Sequence, residues 1–292
     1  YEVAHRARAA AYGPDAATTL QALTNKAVVQ AVIGRFDDAE STLRRVIDRV
    51  SARHGPDHPA VLNAQQNLAT MYTNSGKPDE AMTVYRDILP RYRRVMGESH
   101  PDTLIVTGNY ASRLREAGRH REAFELHSAV LAKLRVALGP EAQSTLGWEL
   151  HLARDVANLG RRDEAERMMR SLVERQTARF GAAHRETLET QLALADLLVE
   201  DGRPEEARPM LVDGLAPMAA SVGPRSFPVR TALVLLAEID YAAGRSAEGA
   251  AWWRRALEAG AQPAGDIAGL PTLESLRASG RLPAEAAASG AR

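Results

Sequence analysis

Apolar residues recur at helical spacing along this chain, in segments that end at glycines. Between Gly34 and Gly55 they are Leu43, Val46, Ile47 and Val50, and between Gly55 and Gly76 they are Val61, Leu62, Leu68, Ala69 and Tyr72. A period near 3.6 predicts an amphipathic helix in each segment. We call the helix that follows Gly34 helix B and the helix that follows Gly55 helix A.

The ends of these helices also have recognisable signals. Asp37 with Glu40 three residues later predicts a capping box for helix B, and Pro59 after His58 suits the first turn of helix A. Pro90 falls in the middle of a later helix B, where proline removes a hydrogen-bond donor, so we expect that helix to be kinked or shortened.

The A and B segments form one unit that repeats every 42 residues without an insertion. Two glycine series predict the helix ends, because glycine adopts left-handed conformations freely. Two series of small residues predict close helix approach. The first glycine series is Gly34, Gly76, Gly118, Gly160, Gly202 and Gly244, and the second is Gly13, Gly55, Gly97, Gly139, Gly181 and Gly223. The small residues are Ala27, Ala69, Ala111, Ala153, Ala195 and Ala237, and then Ala39, Ala81, Ala123, Ala165, Ala207 and Gly249.

This periodicity predicts an all-α fold made of six helix-turn-helix repeats over residues 13–260. Residues 1–12 resemble the end of a helix from a preceding, truncated repeat. Residues 261–292 are rich in Ala, Gly and Pro and predict a loosely packed cap, with a short helix from Thr272 to Ser279 and a disordered tail from Pro283.

Composition narrows the function classes. The 292 residues are 45% hydrophobic and 25% charged, with 37 basic and 37 acidic side chains. The chain therefore lacks the excess of positive charge that would favour binding to nucleic acid or to an anionic membrane. There is no cysteine, which excludes thiolate chemistry and disulfides and favours a cytoplasmic location. The longest apolar stretch, near Leu233 to Ala237, is far shorter than the roughly 20 residues that span a bilayer.

The small residue of helix A, the turn glycine and the small residue of helix B resemble the tetratricopeptide repeat family at Ala69, Gly76 and Ala81. The usual period of that family is about 34 residues. The longer repeat resembles those of kinesin light chains and bacterial regulators, as do His100-Pro101-Asp102-Thr103-Leu104, Asn67-Leu68-Ala69 and Asp79-Glu80-Ala81. The resemblance implies a right-handed α-α superhelix, or solenoid, whose A helices line a concave groove. It also implies a bacterial chain that serves as the regulatory arm of a larger signalling protein.

In the kinesin light chain-like subgroup an asparagine of helix A holds the backbone of an extended ligand, and the matching residues here are Asn25, Asn67 and Asn109. The alternative is that these amides bond adjacent repeats together. The same position continues as His151, Ala193 and Leu235, so we expect ligand binding in the first three repeats. Further candidate groove contacts are Gln21, Asn63, Thr70, Arg115 and Arg154.

One turn further along helix A, the side chains change from neutral to charged along the chain: Val28, Thr70, Ser112, Arg154, Asp196 and Glu238. This series predicts a groove whose charge increases towards the last repeat, with Arg113, Arg115 and Arg154 available to carboxylates or phosphates. The alternative is an ordinary solvated helix face.

Other chemistry finds little support in the sequence. His54 and His58 have the i, i+4 spacing of metal ligands, but no cysteine or carboxylate cluster completes a site, and His58 and His100 suit a turn before proline. Phosphate loops, nucleophile elbows, zinc-protease helices and kinase loops are missing. We therefore expect no metal, no cofactor and no enzyme. Of Trp252 and Trp253, one should lie outside and pack on the cap or contact a partner.

The sequence thus predicts a scaffold that binds a protein or peptide segment and exists as a monomer or weakly self-associating chain. A structural, self-associating array without a peptide ligand is the alternative. A residual enzyme would need a site made from residues that are interpreted here as structural.

Overall fold

The computed structural model describes residues 17–262 and 265–282, and in this part of the chain it consists of helices joined by short turns. Six A helices of 16 residues alternate with B helices, of which five have 19 residues and the last has 13. The A helices are α1 (Ala17–Val32), α3 (Pro59–Asn74), α5 (Pro101–Glu116), α7 (Gln143–Asn158), α9 (Arg185–Glu200) and α11 (Phe227–Ala242). The B helices are α2 (Phe36–His54), α4 (Pro78–Met96), α6 (His120–Leu138), α8 (Arg162–Phe180), α10 (Pro204–Val222) and α12 (Ser246–Glu258), and a short α13 (Pro271–Ala278) follows. The all-α, helix-turn-helix fold class is confirmed.

Among the described residues, which exclude Gly13, both glycine series end helices as the sequence predicts, but with different backbone conformations. Gly76, between α3 and α4, has φ +73°, and the amide of Lys77 donates to the carbonyl of Tyr72 at 2.9 Å, which closes a Schellman-type end. Gly55 has φ +86° with ψ 161°, a region that only glycine occupies readily. The second series therefore requires glycine even more strictly than a left-handed helix cap does.

Histidines begin several A helices, which confirms the turn interpretation of His58 and His100. The Nδ1 atom of His58 accepts from the amide of Ala60, that of His100 from Asp102, and that of His184 from Glu186. The capping box predicted at Asp37 is wrong, because Arg35 is the N-cap residue of α2 and makes no side-chain cap bond. Glu40 instead accepts from Tyr72 and Arg44.

Pro90 does not shorten its helix. Helix α4 continues through this residue to Met96 and has the same 19 residues as the other long B helices. Pro90 is exposed, while Ile88, Leu89 and Tyr92 around it are buried. The packing of these neighbours maintains the helix across the missing hydrogen bond, so the prediction of a shortened helix is wrong.

The small-residue series mark the places where helices meet. Every alanine of the two series has no exposed surface. Gly249 replaces alanine in the last repeat because the ring of Tyr241 lies against it: a Cβ atom there would stand 2.8 Å from the Tyr241 Cγ. The departure from the pattern is therefore a local packing adjustment.

The chain divides into two compact units between residues 137 and 138, and in each unit the described helices stack in pairs. In the first, consecutive helices pack from α1 to α5, and the A helices α1 and α3 also touch. In the second, consecutive helices pack from α7 to α12, and the A helices α7, α9 and α11 contact one another in turn. Each unit therefore presents a face made of neighbouring A helices, which we call its A-helix face.

The segment after the last repeat is docked rather than loosely packed. Helix α13, close to the short helix predicted at Thr272 to Ser279, packs on α11. The Glu238 carboxylate accepts from the backbone amides of Thr272 at 2.9 Å and Leu273 at 2.8 Å. Two of the sequence-predicted segments, residues 1–12 and the tail from Pro283, lie outside the described residues.

The two adjacent tryptophans both make contacts within the second unit. Trp253 is fully buried, and Trp252 is half-buried, with its indole N–H donating to Asp240 at 2.9 Å. Asp240 also accepts from Arg208 and Arg245. Trp252 is thus the outer residue of the pair, and its indole completes the partners of a buried carboxylate.

Candidate functional site on the A-helix faces

In the first unit, two of the predicted asparagines form hydrogen bonds within their own helices. Asn25 accepts from the Gln21 side chain at 3.1 Å, and Asn67 donates to the Asn63 carbonyl at 3.1 Å and the Asn63 side chain at 3.2 Å. Asn25 and Asn67 are half-buried, whereas Gln21 and Asn63 are exposed. The structure therefore places two pairs of amides on the A-helix face, each oriented by a neighbour one turn earlier.

Asn109 has a different environment. Its side chain hydrogen-bonds to the hydroxyl of Tyr85 in α4, and Thr70 of α3 lies 3.3 Å from the same hydroxyl. Burial raises the pKa of Tyr85, and these two hydrogen bonds act in the opposite direction. Asn109 and Thr70 thus connect two repeats through a buried tyrosine, which is the structural alternative that the sequence left open.

The charged candidates are dispersed. Arg115 is half-buried at the end of α5, close to Arg113, which pairs with Glu116 at 2.6 Å. Arg154 lies in the second unit and acts electrostatically on Asp196. Burial and the charge of Glu200 raise the pKa of Asp196 to about 6, against the opposing effect of Arg154 and Arg162. The residue as a whole is exposed. The pKa of Asp196 is therefore raised by neighbouring protein atoms that partly surround its carboxylate, and the carboxylate is not fully enclosed.

The predicted gradient of groove charge is not a continuous surface. Ser112 is buried, with its hydroxyl 3.4 Å from the ring of His127 in α6. Glu238 is buried and occupied by the backbone of α13. The register that suggested a groove lining therefore includes positions that serve packing.

The A-helix face of the second unit contains a cavity of about 500 Å³, within the size range of ligand pockets. We call it the α7–α9 pocket. Its walls come mainly from the A helices α7 and α9, with one residue from the B helix α8 and the beginning of α11. The lining includes Gln143, Gly147, Trp148, His151, Arg154, Gln176, Arg185, Glu186, Glu189 and Phe227.

Of the residues that line this pocket, only Arg154 was predicted from the sequence as a site residue, because the prediction followed positions defined by the repeat pattern. Two departures from the pattern were available as signals. Gly147 lies within helix α7, where glycine is unfavourable, and Gln176 occupies a position that is Val50, Tyr92, Leu134 and Met218 in the other long repeats. His151 was noted only as a failure of the asparagine series.

Metal ligation and membrane insertion can be assessed for the described residues. The rings of His54 and His58 are 4.9 Å apart, and no group of three or more histidine, aspartate or glutamate side chains in this part of the chain is arranged to hold a metal ion. None of the described helices combines the length and apolarity needed to cross a membrane.

Paired helices repeated at a fixed period, with successive pairs packed on one another within each unit, define an α-helical repeat protein. Family models described as tetratricopeptide repeat match residues 18–94, 71–135, 144–216 and 231–255. The chain belongs to the tetratricopeptide repeat family. No curated protein sequence matches it.

Several solved structures share the fold. The TPR-like repeats of a Podosopora anserina protein described as a kinesin light chain are 25% identical, with a TM-score of 0.58, over 69% of this chain and 95% of that one. BtubC (BKLC) from P. vanneervenii is 16% identical, with a TM-score of 0.61, over 74% and 86%. NprR in complex with its cognate peptide NprX is 13% identical, with a TM-score of 0.67, over 88% and 70%. The longer, kinesin light chain-like repeat is therefore supported by structure as well as by sequence.

Proposed function

We propose that this chain is a non-enzymatic scaffold that binds a segment of another protein, or a peptide, on its A-helix faces. The observation that carries the proposal is that each unit has an A-helix face suited to a ligand: the first presents polar, partly exposed side chains, and the second contains a cavity. NprR, which has the same fold, binds a peptide. The proposal includes a role as the regulatory arm of a larger bacterial signalling protein in the cytoplasm.

In the first unit, we assign backbone contacts to Asn25 and Asn67. A primary amide both donates and accepts, so it matches a peptide group of any sequence. The hydrogen bonds from Gln21 and to Asn63 fix the orientation of each amide before a ligand arrives, which reduces the entropy lost on binding. We do not assign this role to Asn109, because its side chain hydrogen-bonds to the hydroxyl of the buried Tyr85 and so links two repeats.

The test compares two double variants of the whole chain in affinity capture from the source organism. We expect Asn25→Ala with Asn67→Ala to lose partners that the wild-type chain retains. Asn74→Ala with Asn158→Ala is the matched control, because these exposed asparagines lie at the ends of A helices. Circular dichroism checks that helicity is equal in all three proteins.

The outcomes separate the alternatives. Loss of the same partners in the control pair, or their retention in the Asn25 and Asn67 pair, would place binding elsewhere on the chain. If the wild-type chain captures nothing and sediments as a concentration-dependent oligomer, the self-associating array replaces the scaffold. Asn109→Ala alone should lower stability rather than partner capture, since it removes a bond between repeats.

A further inference from the structure

We propose that the α7–α9 pocket binds an arginine side chain of the partner segment. This inference rests on the proposed function, which it deepens by naming a second binding position and the chemistry of the ligand. It depends on three features of the pocket: acceptor atoms without donors, aromatic walls, and a glycine that leaves space.

The first feature is the buried amide of Gln176. Its side chain is 1% exposed, and within the described part of the chain its Oε1 atom has no hydrogen-bond partner. In the first unit the equivalent residue, Tyr92, is satisfied, because its hydroxyl donates to Gln66 at 2.9 Å. The counterpart of Gln66 in this repeat is Leu150, which is apolar. The repeat therefore keeps a polar atom at a core position without supplying its partner.

The second acceptor is the carboxylate of Glu186 in the first turn of α9. Its Oε1 atom accepts from Gln143 at 2.8 Å, whereas its buried Oε2 atom has no hydrogen-bond partner among the described residues. A buried acceptor without a donor is costly. Both residues line the same pocket, and one of the two unpartnered oxygens is anionic, which favours a ligand that donates several hydrogen bonds and carries positive charge.

Aromatic rings on the walls fit the same ligand. The rings of Trp148 and His151 are 4.9 Å apart, and Phe227 at the rim is 66% exposed. A guanidinium group is planar, stacks on aromatic faces and presents five donors in a fixed fork. Arginine therefore satisfies acceptors and rings together, which the point charge of lysine does less well.

Gly147 contributes no side chain to the wall of the pocket. It lies within α7, and a Cβ atom at this position would meet nothing within 4 Å. Packing therefore does not require glycine here, and its backbone conformation does not either, since it is not among the glycines with positive φ. Space for a ligand is the remaining physical reason for a residue that weakens the helix.

The basic residues of the pocket do not make it an anion site. Arg185 has Glu189 at 3.6 Å, and Arg154 interacts with the negative charge of Asp196. Both guanidinium groups thus have carboxylates nearby, whereas the unmatched atoms of Gln176 and Glu186 are acceptors.

The test uses the whole chain labelled with 5-fluorotryptophan and observed by fluorine NMR. The chain has three tryptophans, and Trp148→Phe identifies the signal of the one in the pocket. The probes are the Nα-acetyl amides of arginine, lysine, citrulline and glutamate, titrated separately. We expect arginine to shift the Trp148 signal in a saturable manner and to leave Trp252 and Trp253 unchanged. Lysine should be weaker, and neutral citrulline and glutamate should have no effect.

Two variants examine the acceptors. Glu186→Gln and Gln176→Met should each weaken arginine binding about ten-fold or more, because the first removes the negative charge that faces the guanidinium and the second removes a hydrogen-bond acceptor. Asp102→Asn is the matched control: Asp102 occupies the same repeat position as Glu186, but in α5 of the first unit. It should leave the titration unchanged.

The proposal is overturned if arginine leaves the Trp148 signal unmoved, if citrulline or glutamate binds as well as arginine, or if Glu186→Gln binds like Asp102→Asn. Capture of a partner that depends on Asn25 and Asn67, together with a Trp148 signal that ignores arginine, would refute this inference alone. If neither the partner capture that depends on Asn25 and Asn67 nor the arginine-induced shift is observed, the proposed function is refuted as well.

Discussion

Replacing Gln176 by methionine should stabilise the second unit although it alters a fully buried residue. The wild-type amide leaves its Oε1 atom unpaired in the interior, and an unsatisfied buried polar atom costs about 1–3 kcal/mol. Methionine and glutamine have similar helix propensities, so the helix contributes little to the difference. Methionine already occupies the same position in the next repeat, as the buried Met218.

The net gain is smaller than the full penalty, because any hydrogen bond of the amide nitrogen is lost at a cost of about 1 kcal/mol. We therefore expect the free energy of unfolding to rise by up to about 2 kcal/mol, which corresponds to a rise of up to about 8 °C in the Tm of a unit of this size. Arginine binding should fall in the same variant. Stability and binding would then change in opposite directions, as is usual for residues kept for function.

Tryptophan fluorescence during urea unfolding measures this effect selectively, since Trp148, Trp252 and Trp253 all lie in the second unit. Circular dichroism of the same samples follows both units. The control is Gln191→Met, the same exchange at a half-buried position of α9, which should change stability by less than about 0.5 kcal/mol. An unfolding midpoint of Gln176→Met at or below that of the wild type would refute the interpretation of Gln176 as an unsatisfied acceptor.

Three other substitutions test neighbouring features. Gly249→Ala restores the alanine of the other repeats but should destabilise the second unit by about 1–3 kcal/mol in urea unfolding, because the new methyl group would collide with the Tyr241 ring; an unchanged midpoint would contradict the packing argument. Gly147→Ala should stabilise α7 by about 0.5–1 kcal/mol and weaken the arginine probe in the fluorine titration, whereas a gain in both properties would remove the spatial role of Gly147. Asp196, whose pKa is raised to about 6, binds its proton more tightly in the folded chain than in the unfolded one, where the pKa is about 3.9. Stability should therefore rise as pH falls from about 6 to 4, and urea midpoints of Asp196→Asn at several pH values should lack this trend.

The fold was predictable because the features that create it repeat. A glycine required at each helix end and an alanine at each close contact recur every 42 residues, so each copy reinforces the interpretation of the others. Gly76 and Ala81 illustrate this, since both have the conformation or burial that their register predicts. Histidine at the start of A helices was also predictable as a turn residue.

Contacts between repeats were harder to predict. Asn67 and Asn109 share one register, yet the residue equivalent to Tyr85, the partner of Asn109, is Leu43 in the preceding repeat. The register of Glu238 predicts a charged side chain in the groove, but in the structure its carboxylate accepts a hydrogen bond from the backbone of α13. The position of a residue within the repeat predicts which helix face its side chain occupies. The group that this side chain contacts depends on the neighbouring repeat and on segments outside the repeats.

This distinction gives a physical rule for locating function in the array. A residue that follows the repeat pattern is explained by the fold, and one that departs from it requires a local cause. For Gly249 the cause is the Tyr241 ring, and for Glu238 it is the start of α13. Gly147 and Gln176 have no such cause among the packed side chains, since one faces open space and the other leaves an acceptor unpaired. Both line the same pocket, so a ligand of that pocket is the explanation that accounts for the two departures together.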